Sequence, residues 1–85
     1  MPTDPTITRL DRRAAALGIA LRPISTHVRE FDAPSLGRTF RYRPGGSGAV
    51  WVGAFAGGTL DAEMVCGPER VERLFAQAAP AEANR

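Results

Sequence analysis

Residues 38–66 read RTFRYRPGGSGAVWVGAFAGGTLDAEMVC, and the periodicity of this stretch decides the fold. In RTFRYR (38–43), Phe40 and Tyr42 fall on one side and Thr39, Arg41 and Arg43 on the other, the period-two alternation of a half-buried strand. PGGSG (44–48) turns the chain. AVWVGAFA (49–56) is apolar on both of its faces, as expected of a strand with neighbours on either side and cover above and below. Gly57-Gly58 is a tight hairpin signal, and TLDAEMVC (59–66) alternates again, with Leu60, Ala62, Met64 and Cys66 against Thr59, Asp61 and Glu63. The expectation is a three-strand antiparallel meander. Its two hairpins make conflicting demands. A tight Gly57-Gly58 turn puts Trp51 and Phe55 on the face of Met64 and Leu60, whereas a five-residue loop at 44–48 puts Val50 and Val52 beside Phe40 and Tyr42. One bulge, in the glycine loop or at Gly53, reconciles the registers.

Working outward from the meander, IALRPIS (19–25) reads as a short first strand that Pro23 confines to a sheet edge or a bend. HVREF (27–31) reads as a second extended piece, and DAPSLG (32–37) is turn chemistry. At the N-terminus Asp4-Pro5 caps a helix whose apolar positions are Ile7, Leu10, Ala14 and Leu17. Gly18 ends it, and Ile19 is placed to fold back onto the last turn. At the other end Gly67-Pro68-Glu69 opens a second helix with Val71, Leu74, Phe75 and Ala78 as its buried stripe. The predicted architecture is α+β: an antiparallel β-sheet, made of the three-strand meander plus one or two short N-terminal strands, with an N-terminal and a C-terminal α-helix covering one face. It forms one domain over residues 1–85, with an ordered core at about 5–79 and a loose tail at 80–85.

Composition narrows the function classes. A chain of 85 residues, 44 % apolar and +2 in net charge, is globular rather than disordered, and no apolar run approaches the ~20 residues of a membrane helix. The N-terminal MPTDPTITRL carries Asp4 and lacks a basic segment leading into an apolar one, so it does not read as a secretory signal and a cytoplasmic location is expected. The one cysteine, Cys66, and the one histidine, His27, build neither a disulfide framework nor a zinc site. No catalytic set assembles either. PGGSG lacks the lysine and the following helix of a phosphate-binding loop, and His27 has no nucleophile tied to it by spacing. Asp61 and Glu63 are two carboxylates without a third ligand. No cofactor is expected, and the chain reads as a binding protein rather than an enzyme.

The arginines carry the remaining signal. All eleven basic residues are Arg, and they are unevenly spread: eight against four acids in residues 1–43, three against five in residues 44–85. The guanidinium forks of Arg41 and Arg43 on the strand, with Arg38 and Arg29 near them in sequence and Arg9, Arg12 and Arg13 on the first helix, form a field suited to a nucleic-acid backbone or an acidic protein. Trp51 or Tyr42, if on the same side, would offer a stacking platform. The competing reading is a solvated sheet face whose arginines pair with Asp61, Glu63, Glu30 and Asp32. In addition, the doubly apolar strand leaves some of Val50, Val52, Trp51 and Phe55 in need of cover, which a homodimer or a larger partner would supply.

In size and in its helix–meander–helix layout over residues 5–79, the chain resembles the anti-CRISPR proteins among the small stand-alone proteins of phages and mobile elements. That resemblance implies a non-enzymatic inhibitor that binds a CRISPR effector complex and blocks recognition of target DNA. Many such inhibitors are acidic DNA mimics, whereas this chain is mildly basic, so its contact would run from the Arg face to acidic patches on the effector. The alternative expectation is a small nucleic-acid-binding domain using the Arg and aromatic sheet face.

Overall fold

The structure, a computed structural model, describes residues 4–79; the expected loose tail at 80–85 lies outside the described residues. Helix α1 (Pro5–Ala16) is followed by strands β1 (Arg22–Pro23) and β2 (Arg29–Ala33), a 3-10 turn (Pro34–Leu36), β3 (Arg38–Gly46), β4 (Ala49–Ala56) and β5 (Thr59–Cys66), and then by helix α2 (Pro68–Ala78). All five strands form one antiparallel sheet in sequence order. The α+β layout is the one the sequence predicts.

The helix ends follow their sequence signals. Asp4 accepts a hydrogen bond from the Thr6 amide at 2.8 Å and so satisfies one of the amides that the first turn of α1 leaves without a partner. At the other end Gly18 adopts φ 74°. The Gly18 and Ile19 amides return to the carbonyls of Ala15 and Ala14 at 3.2 and 2.9 Å, the hydrogen-bond pair of a Schellman cap.

The helices share one face of the sheet. Ile7, Leu10 and Ala14 of α1 and Val71 and Phe75 of α2 are buried with Phe31, Ala33, Phe40, Tyr42, Val50 and Val52 of the strands. Phe31 stacks on Phe40 at 5.4 Å and meets Phe75 edge-on at 5.0 Å, and Tyr42 meets Phe75 edge-on at 5.9 Å. Aromatic packing of this kind adds to the burial of apolar area. The Tyr42 hydroxyl is the one buried side-chain oxygen or nitrogen among the described residues without a hydrogen-bond partner. Burial, and then the charge of Asp11, push its pKa upward against the opposing pull of Arg29.

Two bulges resolve the register conflict. The first lies in the glycine stretch: Pro44 pairs with Val50 and Gly46 with Ala49, leaving Gly45 as the extra residue. β3 therefore runs through to Gly46, and the expected five-residue loop is a two-residue turn at Ser47-Gly48, with φ 54° and 79°. Gly57-Gly58 repeats that geometry at φ 59° and 82°; positive φ at both central residues is the turn whose twist suits a tight hairpin. The second bulge is on β5 rather than at Gly53. Ala54 pairs with Ala62 and Phe55 with Leu60, so Asp61 is the additional residue. This corrects the predicted alternation of β5: Ala62, Met64 and Cys66 face the helices, while Leu60 turns over to the opposite face beside Phe55. At the N-terminal edge the strand expected at 19–25 is reduced to Arg22–Pro23, because Pro23 has no amide to extend the ladder. The piece expected at 27–31 pairs at Arg29–Ala33.

Candidate functional site: the outer face of the sheet

The face turned away from the helices is built from the alternate residues of each strand. Across it, Arg22, Glu30, Arg41, Gly53 and Glu63 form one row, and Arg43, Trp51 and Val65 a second, as the strand registers dictate. The face divides into two halves of different chemistry.

The half formed by β1, β2 and β3 is an ion-pair lattice. Arg22 donates to Glu30 at 2.9 and 3.0 Å and to both oxygens of Asp32 at 2.9 Å. Arg41 reaches the other oxygen of Glu30 at 3.0 and 3.3 Å, and the Thr39 hydroxyl donates to Asp32 at 3.0 Å. The carboxylates respond as their partners require. The Asp32 pKa falls to about 2, first through its bonds from Arg22 and then through Thr39. The Glu30 pKa is lowered by Arg22 first and Arg41 next, against the opposing effect of burial. Arg22 was not singled out in the sequence. Its role depends on the pairing of a two-residue strand with β2, which no local pattern announces.

The half formed by β4 and β5 is apolar. The Trp51 indole lies along its own strand over Gly53, where an added Cβ would stand 2.5 Å from Cη2 of the indole and 3.1 Å from Cδ1 of Leu60. Only glycine leaves the ring that seat. The ring is held from two sides, since the Arg43 guanidinium sits 4.9 Å from its centroid and Nε1 donates to Glu63 at 3.0 Å. Phe55 follows two residues along, with Arg41 at 5.2 Å from its centroid. Leu60 and Val65 complete the strip at 45 % and 65 % exposure. The result is a strip of aromatic and aliphatic side chains interleaved with Arg41, Arg43 and Glu63, with the indole contacted on two sides.

The eight residues expected to form one binding field do not form one surface. Arg41 and Arg43 project together on the outer face, and Trp51 joins them there. Arg38, at the start of β3, is committed to Asp61 in the β5 bulge at 2.8 Å and to the Gly37 carbonyl at 3.1 Å. Arg29 shares its face with Phe31, because residues two apart on a strand point the same way. Its guanidinium pairs with Asp11 of α1 at 3.1 and 3.2 Å. Arg9 ties α1 to α2 through Glu72 at 2.9 and 3.1 Å, a bond that lowers the Glu72 pKa. Arg12 is exposed on α1, and Arg13 lines a shallow cleft with Glu69, Glu72, Arg73 and Ala76. The helix arginines thus lie on the opposite side of the molecule from Trp51. Pairing with carboxylates, the competing expectation, describes Arg38 and Arg41, whereas Glu63 serves Trp51 instead of an arginine.

No group of three metal-ligating side chains occurs among the described residues. His27 lies in the β1–β2 connection and Cys66 at the end of β5; burial chiefly raises the Cys66 thiol pKa, the reverse of what activates a thiol. No helix among the described residues is long and apolar enough to cross a membrane. No family model, curated protein or solved structure matches this chain.

Proposed function

We propose that the protein is a non-enzymatic binding protein that docks a larger protein through the β4–β5 half of its outer sheet face. The observation that carries this reading is the seating of Trp51 over Gly53 between Arg43 and Glu63. A large side chain already fixed in one conformation loses little entropy when a partner closes over it, and tryptophan and arginine at the centre of an apolar patch are the residues that dominate protein interfaces. Phe55, Leu60 and Val65 supply the surrounding area that excludes water. The resemblance to anti-CRISPR proteins names the partner class within this reading: a subunit of a CRISPR effector complex, held so that target DNA is not recognised.

Direct nucleic-acid binding has less support, because Arg22, Arg38 and Arg41 spend their charge on Glu30, Asp32 and Asp61. Phosphate binding depends on unneutralised cations and weakens steeply with salt.

Affinity capture with the full chain, run with and without nuclease and repeated with Trp51→Ala, tests the reading. A multisubunit complex that survives nuclease and moderate salt and is lost with Trp51→Ala is expected. Partners that all vanish with nuclease would assign the face to nucleic acid. A plasmid-interference assay then tests the inhibitor function: the protein is expected to restore transformation of a targeted plasmid, and undiminished interference rejects the CRISPR effector as the partner.

A further inference from the structure

The outer face sets Arg22, Arg41 and Arg43 against Glu30, Asp32 and Glu63, yet these charges are not all matched. Arg22 and Arg41 share Glu30 and Asp32. Arg43 and Glu63 are left over, on the two strands that flank the strand of Trp51. Arg43 is exposed, lies 4.9 Å from the centroid of the indole and makes no ion pair among the described residues. Glu63 gives one carboxylate oxygen to the indole N–H, a neutral donor that leaves its charge in place. Contact with the ring also limits the rotamers of the long Arg43 side chain, so less freedom is lost when its N–H groups meet an acceptor.

We infer that the partner presents a carboxylate to Arg43 beside an apolar side chain that covers Trp51, so that the strip recognises an acidic residue next to an aromatic or aliphatic one. This rests on the docking role proposed above and adds the chemistry of the partner. Because Arg43 lies against Trp51, a partner that closes over the ring also takes water from the guanidinium. A cation removed from water without an anion is costly, so the covering surface must bring one to this position. The planar guanidinium suits a carboxylate, which accepts two parallel N–H hydrogen bonds from it. A nucleic-acid backbone fits less well. Its successive phosphates would meet Glu63 on one side and, on the other, the lattice of Arg22, Arg41, Glu30 and Asp32, whose cations are already paired. Glu63 thereby gives the strip a polarity, since it repels a second acid on the β5 side of the ring.

Random peptides displayed on phage and selected on the immobilised full chain test this, with Trp51→Ala as the counter-selection. Peptides kept by the wild type and lost by Trp51→Ala bind the docking strip. Trp51, the one tryptophan of the chain, reports the same event through its emission when a peptide without tryptophan binds. The expected peptides carry Asp or Glu next to an aromatic or aliphatic residue. Arg43→Met keeps an unbranched stem beside the ring but removes the charge, and it should weaken these peptides at least about tenfold. Replacing the peptide's acid by its amide should cost the same factor against the wild type and nothing further against Arg43→Met, a coupling that a merely structural role for Arg43 would not produce. Trp51-dependent peptides with no enriched acid, or with losses that simply add, overturn the inference and leave the docking role standing. A library with no peptide that depends on Trp51 or shifts its emission removes that role and the inference with it. Oligodeoxythymidine that competes with the peptides and is released by Arg43→Met would assign the guanidinium to phosphate and overturn the inference as well.

Discussion

The two halves of the outer sheet face use arginine in opposite ways. On β1–β3 the guanidinium groups of Arg22 and Arg41 are consumed by Glu30 and Asp32, and what faces solvent is a closed network of small net charge. At the β4–β5 half the Arg43 guanidinium, reaching across from β3, makes no ion pair among the described residues and lies against the Trp51 ring. A count of arginines makes the first half look like the binding surface. The proposal of a docking surface rests instead on the second half, where the Trp51 ring is seated over Gly53. Solvent-exposed ion pairs contribute little to stability, and their chief effect here is to favour one strand register, whereas a preorganised apolar strip retains its energy until a partner covers it.

Substitutions can separate the halves. Both rest on the same core, so Phe75→Ala should cost about 3–5 kcal/mol and unfold them together; denaturant melts that show one half surviving would break the comparison at its base. Next in size, Trp51→Ala should weaken partner binding by 2 kcal/mol or more, roughly 30-fold, while Arg22→Ala leaves binding unchanged, as read by titration calorimetry with the captured partner. Equal losses from both variants would merge the halves into one site.

Gly53→Ala should destabilise the fold by about 1–3 kcal/mol and move the tryptophan fluorescence maximum to the red, because the added methyl displaces the indole from its seat. An unchanged spectrum would mean that the ring does not depend on the glycine. Smallest is the effect of Arg22→Ala, about 1 kcal/mol or less, and it has a signature in acid. Asp32 titrates near 2 in the folded chain against an ordinary 3.8, and Glu30 is shifted the same way. The unfolded chain therefore binds more protons across that window, and stability should fall as pH drops from about 4 toward 2. In Arg22→Ala the decline should be shallower and the Asp32 carboxyl should titrate closer to 3.8 by NMR. A carboxyl still titrating near 2 would show that Arg22 is not what holds it there.

Much of this was legible in the chain itself, for reasons that particular residues make plain. Strict alternation in Phe40-Arg41-Tyr42 and paired glycines at 57 and 58 are local signals, and they placed the meander and its inner face. The helices announced themselves through Asp4-Pro5, Gly18 and Gly67-Pro68. What stayed hidden was set by non-local contacts. The Asp61 bulge accommodates Val52 and Met64 on the inside together with Phe55 and Leu60 on the outside, a requirement that involves two strands at once. Likewise Arg22 takes its meaning from Glu30 and Asp32 across a strand pair, and the predicted field of seven arginines and Trp51 came apart because β2 points Arg29 toward α1 while β3 points Arg41 away.

The two tight turns at Ser47-Gly48 and Gly57-Gly58 also bear on how the chain finds its structure. Each joins strands whose pairing partners are close in sequence, so the entropy of closing those loops is small. Helix α1, by contrast, must settle on strands more than twenty residues away in the chain, since Ile7 and Leu10 share a core with Phe40, Tyr42 and Val50. The expected order of events is a meander zipped from its turns, with α2 joining directly from the end of β5 and α1 docking last, which φ-values measured in the turns and in α1 would check. Destabilising changes in the turns should slow folding, while those in α1 should mainly hasten unfolding. A protein built in that order keeps its Trp51 strip and its open β5 edge on the part that forms first.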